Sequence, residues 1–214
     1  MKEIIAEGES SLLEFKRKAT TPTKIAKELA ALANTKGGLL IIGVDDDGTI
    51  VGVRSEKAEV DIVEQACGFY VFPPIEPKIE IVDCKDKDLV VVGIEESRRK
   101  PHLVEVEEPD TKKIVKRAYI RLADKSVIAS KEMYRLMNSQ ASGAPLKISI
   151  GDREKRLFAY LEKNEKITVR EFATIVNISR RRAEKILIDL VRANVILIHN
   201  DTSNDYFSLA PNVK

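Results

Sequence analysis

The stretch from Leu29 to Gly52 constrains this chain more than any other, because it forces four elements into a fixed order. Ile25, Leu29 and Leu32 recur at helical spacing, Gly37-Gly38 supplies the positive-φ freedom that stops a helix, and Leu39 to Val44 is a short apolar run that predicts an interior strand. A hairpin follows, with Asp45-Asp46-Asp47-Gly48 at its tip. Asp and Gly tolerate the left-handed backbone of such a turn, yet three adjacent carboxylates repel unless water or a cation screens them.

Around this stretch the pattern predicts an α+β domain. Gly8 to Lys16 reads as a turn entering a strand, with Leu13 and Phe15 on one face and Leu12, Glu14 and Lys16 on the other. Thr21 as N-cap and Pro22 at the first helical position open a helix to about Asn34. Ser55 to Phe69 is a second helix, Phe72 to Pro77 a proline-rich connector, and Lys78 to Cys84 with Leu89 to Ile94 a hairpin. His102 to Val106 and Val115 to Leu122 form another hairpin, and Ser130 to Asn138 a helix with Met133, Leu136 and Met137 inward. The small, polar, proline-terminated run Ser139 to Pro145 marks a linker, which sets a first domain at 1–138, a linker at 139–150 and a second domain at 151–214. A length of 214 residues leaves room for both cores.

The second domain has its own signature. Asp152 to Asn164 is helical, Thr168 caps a short helix Val169 to Val176, and Ser179 caps Arg180 to Ala193, which buries Ala183, Ile186, Leu187, Leu190 and Val191. Val195 to His199 and Tyr206 to Leu209 pair across Asn200 to Asp205. Three helices and a terminal hairpin in that order predict a small winged helix-turn-helix.

Net charge is +2, but residues 152–214 carry twelve Lys and Arg against nine Asp and Glu, so the basic excess sits in the tail. There the third helix opens with Arg180-Arg181-Arg182, and Lys185 falls one turn beyond Arg181. Arginines at that position of a helix-turn-helix grip phosphates or guanine edges, and the helix N-terminus favours phosphate as well. Arg98-Arg99-Lys100 is a second cationic run, either a phosphate contact or a solvated loop. In the front domain Glu9, Glu14 and the Asp45 cluster are oxygen ligands suited to Mg²⁺ or Mn²⁺, with Lys16 placed to stabilise a phosphate; a solvated strand edge is the competing reading. His102 and His199 lack a second histidine at metal-ligand spacing and read as surface or strand residues. Cys67 and Cys84, without a CxxC partner, read as reduced structural thiols. Lys36-Gly37-Gly38 precedes its strand and the Walker pattern is absent, which argues against ATP. No membrane span and no signal-like start are present, so the expectation is a cytoplasmic protein.

Gly8-Glu9-Ser10 with Leu13-Glu14-Phe15-Lys16, then Ala33 to Gly38, Ile42 to Gly48 with Val51-Gly52, and later Arg117 to Arg121 with Ser126 to Ala129, resemble the Schlafen AlbA_2 domain, once called divergent AAA-4. The resemblance covers about residues 5–137 and implies a mixed α/β nucleic-acid-binding domain, often followed by a helix-turn-helix in DNA-binding transcriptional regulators. Animal Schlafens that cleave tRNA and rRNA use two glutamates and an aspartate with a divalent metal. By motif these match Glu9, Glu14 and Asp45, with Asp46 or Asp47 as alternative counterparts. Those proteins carry two related lobes and a zinc site of Cys and His; this sequence has one lobe and no such cluster, so the resemblance implies a homodimer. The expectation is a DNA-binding regulator, with RNA as the other nucleic-acid partner and a metal-dependent endoribonuclease as the alternative.

Overall fold

The helix at the start of the constraining stretch is buried over its C-terminal half, while Lys24 near its start is exposed. Thr21 accepts the Lys24 N–H at its N-terminus and Pro22 occupies the first turn, as the sequence predicts. Leu29, Ala30, Ala31, Leu32 and Ala33 are all fully buried, which explains why the last turns of the helix are built from leucine and alanine. Removing one such leucine side chain costs about 2–5 kcal/mol. In the computed structural model, which describes residues 1–141, 146, 149–201 and 205–211, the chain divides into two compact units, Met1–Ala129 and Ser130–Lys214.

In the first unit, helix α1 (Lys2–Ala6) and strand β1 (Leu13–Lys16) precede α2 (Pro22–Asn34) and β2 (Gly37–Ile42). Helix α3 (Glu56–Gln65) continues into a π-helical turn over Ala66–Tyr70, where the sequence reading had one helix to Phe69. Strands β3 (Val71–Phe72), β4 (Lys78–Asp83), β5 (Asp88–Glu95), β6 (Leu103–Glu107), β7 (Ile114–Leu122) and β8 (Lys125–Ile128) complete it. One sheet has the order β1-β2-β5-β4, with β1 parallel to β2 and the other pairs antiparallel. The other has the order β3-β6-β7-β8 and is antiparallel throughout. The main core joins α2, Leu40, Ile42, Val90 and Val92 to Val104 and Tyr119 of the second sheet. The alternate residues Leu13, Phe15, Ile41, Leu89 and Val91 turn to the opposite face and pack with Ile5 of α1. That alternation is why β2 and β5 read as continuous apolar runs.

Gly37 and Gly38 do not stop the helix. Thr35 is its C-cap, and the two glycines are the first residues of β2. They are needed because backbones crowd there: a Cβ on Gly38 would stand 2.3 Å from the Leu12 carbonyl oxygen, and one on Gly37 2.5 Å from that of Ile94. Val44 lies past the end of β2 and pairs with Ile50 as a lone bridge.

The second unit begins with α4 (Lys131–Ala141), capped by Ser130, which accepts the Met133 N–H. The sequence reading put this helix at the end of a first domain 1–138; it belongs with the second unit, where Arg135 pairs with Glu184. It also takes in residues 139–141 of the expected linker, while 142–145 and 147–148 lie outside the described residues. Helices α5 (Asp152–Asn164), α6 (Val169–Ile175) and α7 (Arg180–Arg192) follow, then β9 (Ile196–His199) antiparallel to β10 (Tyr206–Leu209). Leu157, Leu161, Phe172, Leu187, Ile196 and Phe207 form their core. Ile186 and Val191 are only partly buried, whereas Ile188 and Glu184 are buried. The hairpin connection includes residues 202–204, which lie outside the described residues. Among the described residues no helix is long and apolar enough to cross a membrane.

Candidate functional sites

The first candidate lies where β1, α2, β7 and β8 meet. Glu14 faces away from Leu13 and Phe15, as strand alternation requires, but it is buried rather than solvated. Arg121 Nη1 donates to Glu14 Oε2 at 2.6 Å and to Ser126 Oγ at 3.2 Å, and lies 3.4 Å from Glu28 Oε2. Its Nη2 donates to the Ser10 carbonyl at 2.7 Å. Ser126 Oγ donates to Glu28, and Lys16 Nζ donates to Glu14 Oε1 and, at 3.0 Å, to the Phe15 carbonyl. The Arg121 side chain is 0% exposed, and its Nε has no partner among the described residues. Burial opposes the Lys16 charge, but the hydrogen bond to Glu14 and the charges of Glu14, Glu28 and Glu9 outweigh it and hold the ammonium above its ordinary range.

Glu9 is reached from the other side, its Oε1 accepting the Phe15 N–H at 2.9 Å. Burial pushes its carboxyl up, and the charges of Glu14 and Asp46 act in the same direction, against the Phe15 N–H and Lys16. The aspartate that acts on Glu9 is therefore Asp46. Asp45, the residue the motif match had favoured, turns to Arg17 Nη1 at 2.7 Å. Asp47 closes its own turn: its Oδ1 accepts the Thr49 N–H at 2.8 Å, which lowers its pKa.

These residues do not fit a metal triad of Glu9, Glu14 and Asp45. Both oxygens of Glu14 are held by cationic side chains, Asp45 has its own arginine, and among the described residues no three His, Cys, Asp or Glu side chains come together as a metal-holding group. A divalent ion would have to displace Arg121 and Lys16 from Glu14. The front residues Glu9, Glu14, Lys16 and Asp46 do share one neighbourhood, as the sequence reading expected of the first three.

Sequence reasoning missed Arg121, Glu28 and Ser126, and also Asn34. The buried Asn34 amide donates to the His102 and Tyr119 carbonyls, both at 2.9 Å, and its Oδ1 accepts the His102 N–H at 2.7 Å. It ties α2 to β7 and to the residue just before β6. His102, read from the sequence as a surface or strand residue, is 2% exposed and lies 2.6 Å from both the Pro73 carbonyl and Ser97 Oγ. Burial lowers its pKa, Arg99 and Lys100 add to that, and the Pro73 carbonyl opposes it. Lys100 is not a free cation either: its side chain is 11% exposed, and Nζ donates to the Thr35 carbonyl at 2.8 Å and to Glu96 at 2.6 Å. Arg98 and Arg99 are exposed.

The second candidate is the N-terminal end of α7. Ser179 accepts the Arg182 N–H, which starts the helix there and leaves the earlier N–H groups without intrahelical acceptors. Arg180, Arg181, Arg182 and Lys185 are all exposed and form no ion pair among the described residues.

With both sites located, the Schlafen AlbA_2 family model matches residues 9–130, and the chain belongs to that family. Arg121 and Ser126 fall inside the matched region, and the basic end of α7 outside it. Among solved structures the chain is similar to the DIP2311 protein from Corynebacterium diphtheriae, at 18% identity and a TM-score of 0.45, over 70% of this chain and 32% of that one. It is also similar to the N-terminal domain of a RecG-related protein from Nitrosomonas europaea, at 20% identity and a TM-score of 0.40, over 61% of this chain and 94% of that one. Neither likeness is close enough to carry function. Among the curated proteins none matches the chain.

Proposed function

We propose that the protein binds nucleic acid, and that it is a homodimeric, cytoplasmic DNA-binding regulator whose second unit works as a winged helix-turn-helix. The observation that carries this reading is the cluster of Arg180, Arg181, Arg182 and Lys185, exposed and without ion pairs among the described residues at the start of the third helix of that unit. Four cations that no carboxylate neutralises favour a polyanion, and a phosphate backbone is the polyanion a helix N-terminus suits. The order α5, α6, α7, β9, β10 supports a wing beside the recognition helix. In the dimer two such helices read two half-sites, and the AlbA_2 unit sets their spacing.

Fluorescence anisotropy with duplex DNA and with tRNA across a salt series tests this. Alanine at Arg180, Arg181 and Arg182 lowers duplex affinity and flattens the salt dependence by roughly 2–3 in log–log slope, the loss of about three phosphate contacts. Unchanged affinity overturns the reading, and a preference for tRNA moves the target from DNA to RNA. Light scattering of the same preparation tests the dimer. The endoribonuclease alternative is checked by incubating tRNA with Mn²⁺ and comparing wild type with Glu14→Ala; the ion pairs on Glu14 and Asp45 support the expectation of no difference.

A further inference from the structure

Strand β4 is the last of its sheet. It pairs with β5 in an unbroken register, from Lys78 opposite Gly93 to Asp83 opposite Asp88, and among the described residues no strand pairs with its other side. The strand contains neither proline nor bulge, so its outer edge keeps a row of backbone donors and acceptors that another extended chain can pair. Its side chains alternate. Ile79 and Ile81 stand opposite Val92 and Val90, on the face of the main core; Ile79 packs against that core, but Ile81 is 57% exposed. Lys78 and Glu80 take the other face and are exposed, and the ion pair of Lys78 with Glu95 joins side chains that are 74% and 79% exposed. A cavity of about 390 Å³ adjoins Ile79, lined also by Cys67, Gly68, Ile75 and Pro77, together with Glu64 and Glu76, which are exposed.

A second copy of the chain answers the open edge, the charges and the cavity together. Two identical edges related by a two-fold axis pair antiparallel, and alternation admits only registers in which opposite residues share a face. Centring the axis on Glu80 sets the two Glu80 carboxylates against each other. Centring it on Ile81 puts Asp83 opposite Ile79 and carries the pairing to Cys84, where Met1, Lys2 and Glu3 border the strand's end. Centring it on Ile79 sets Lys78 of each copy opposite Glu80 of the other, so that the opposite charges meet twice. That same register brings the exposed Ile81 of each copy opposite Pro77 of the other, at the wall of the cavity. Charge matching and the fit of the isoleucine are independent of each other, and both select one alignment.

We propose that the protein dimerises through β4, paired with its counterpart about Ile79, with Lys78 facing Glu80 of the second copy and Ile81 entering the second copy's cavity beside Pro77. The two four-stranded sheets then run on as one across the dimer. This surface belongs to the homodimer proposed above and rests on that reading.

Sedimentation velocity of the full chain over a concentration series reads the association, with circular dichroism confirming the fold of each variant. Ile81→Lys, a change at an exposed position, raises the dimer dissociation constant about tenfold or more. Lys78→Glu and Glu80→Lys, each of which sets like charges opposite one another, both weaken the dimer; the double variant carrying both changes restores opposite charges and recovers most of the loss. A wild-type chain that stays monomeric overturns the surface and the homodimer reading together. A dimer indifferent to Ile81→Lys, or a double variant no tighter than the single ones, overturns the β4 surface and leaves the homodimer standing.

Discussion

Replacing Arg121 with Met tests the charge network of the first unit directly. The Arg121 side chain is 0% exposed and bonds to Glu14, Glu28, Ser126 and the Ser10 carbonyl. Methionine matches much of its volume but supplies none of those bonds. Glu14 would keep only Lys16, whose side chain is 33% exposed, and an ion pair that wet contributes no more than about 1 kcal/mol. Breaking a buried pair by removing one partner costs about 3–5 kcal/mol, because the other charge stays buried. Against a total stability of about 5–15 kcal/mol that is a large share. Urea unfolding followed by circular dichroism reads it: with a slope of about 2 kcal/mol per molar, the midpoint falls by roughly 2 M. Arg121→Lys lands between the two, since one ammonium cannot span the acceptors that the guanidinium fork reaches. A loss below about 1 kcal/mol for Arg121→Met refutes the reasoning, because a lone buried charge costs more than that. Mn²⁺ gives a second check. A metal that bound the folded state at a hundred times its dissociation constant would raise stability by about 2.7 kcal/mol. The network predicts no such rise in wild type, and a rise that disappears in Glu14→Gln would mean that the carboxylates release their cationic partners for an ion.

Three further outcomes follow from the first unit. Burial pushes the Cys67 thiol up to about 12 and both free cysteines are buried, so Ellman's reagent labels neither rapidly in the native protein and labels both in urea; fast native labelling would contradict the core assignment. The His102 pKa lies below its ordinary 6.5 in the folded state, so stability is full above that pH and erodes as the pH falls toward the folded-state value, where the unfolded chain takes up a proton that the folded one refuses. His102→Gln removes that part of the slope, and an unchanged slope between neutral pH and about pH 5.5 counts against it. Gly38→Ala places a Cβ 2.3 Å from the Leu12 carbonyl oxygen and costs well over about 1 kcal/mol, whereas Gly68→Ala meets nothing within 4 Å and leaves stability within about 1 kcal/mol of wild type; equal effects at the two glycines would refute the crowding argument.

The elements were largely legible because their signals are local. Thr21-Pro22, Ser55, Thr168 and Ser179 each accept a backbone N–H at the start of the helix they were read to begin, since a cap is recognised from a few consecutive residues. The failures are those of range. Gly37-Gly38 read as a helix stop on local grounds, and only the approach of Leu12 and Ile94, distant in sequence, makes them strand residues. Helix α4 looked like the end of the first domain because nothing nearby in sequence announces its ion pair with Glu184.

The same distinction explains what became of the front site. Glu9, Glu14 and Lys16 were visible as a motif, and a motif of carboxylates beside a lysine leaves open whether the charges face a metal, water or an arginine. The arginine that decides it lies 107 residues away in sequence. One signal did exist: Arg121 follows Ala118, Tyr119 and Ile120 in a run otherwise fit for a strand interior, and a charge in such a run must find a counter-charge inside the fold. Matching that requirement to Glu14, itself on a strand between Leu13 and Phe15, would have paired the two without coordinates. Once paired, the carboxylate joins β1 to β7, whereas the arginines at the start of α7 are exposed and form no ion pair among the described residues. The proposed function rests on α7 for that reason, outside the family match that ends at residue 130.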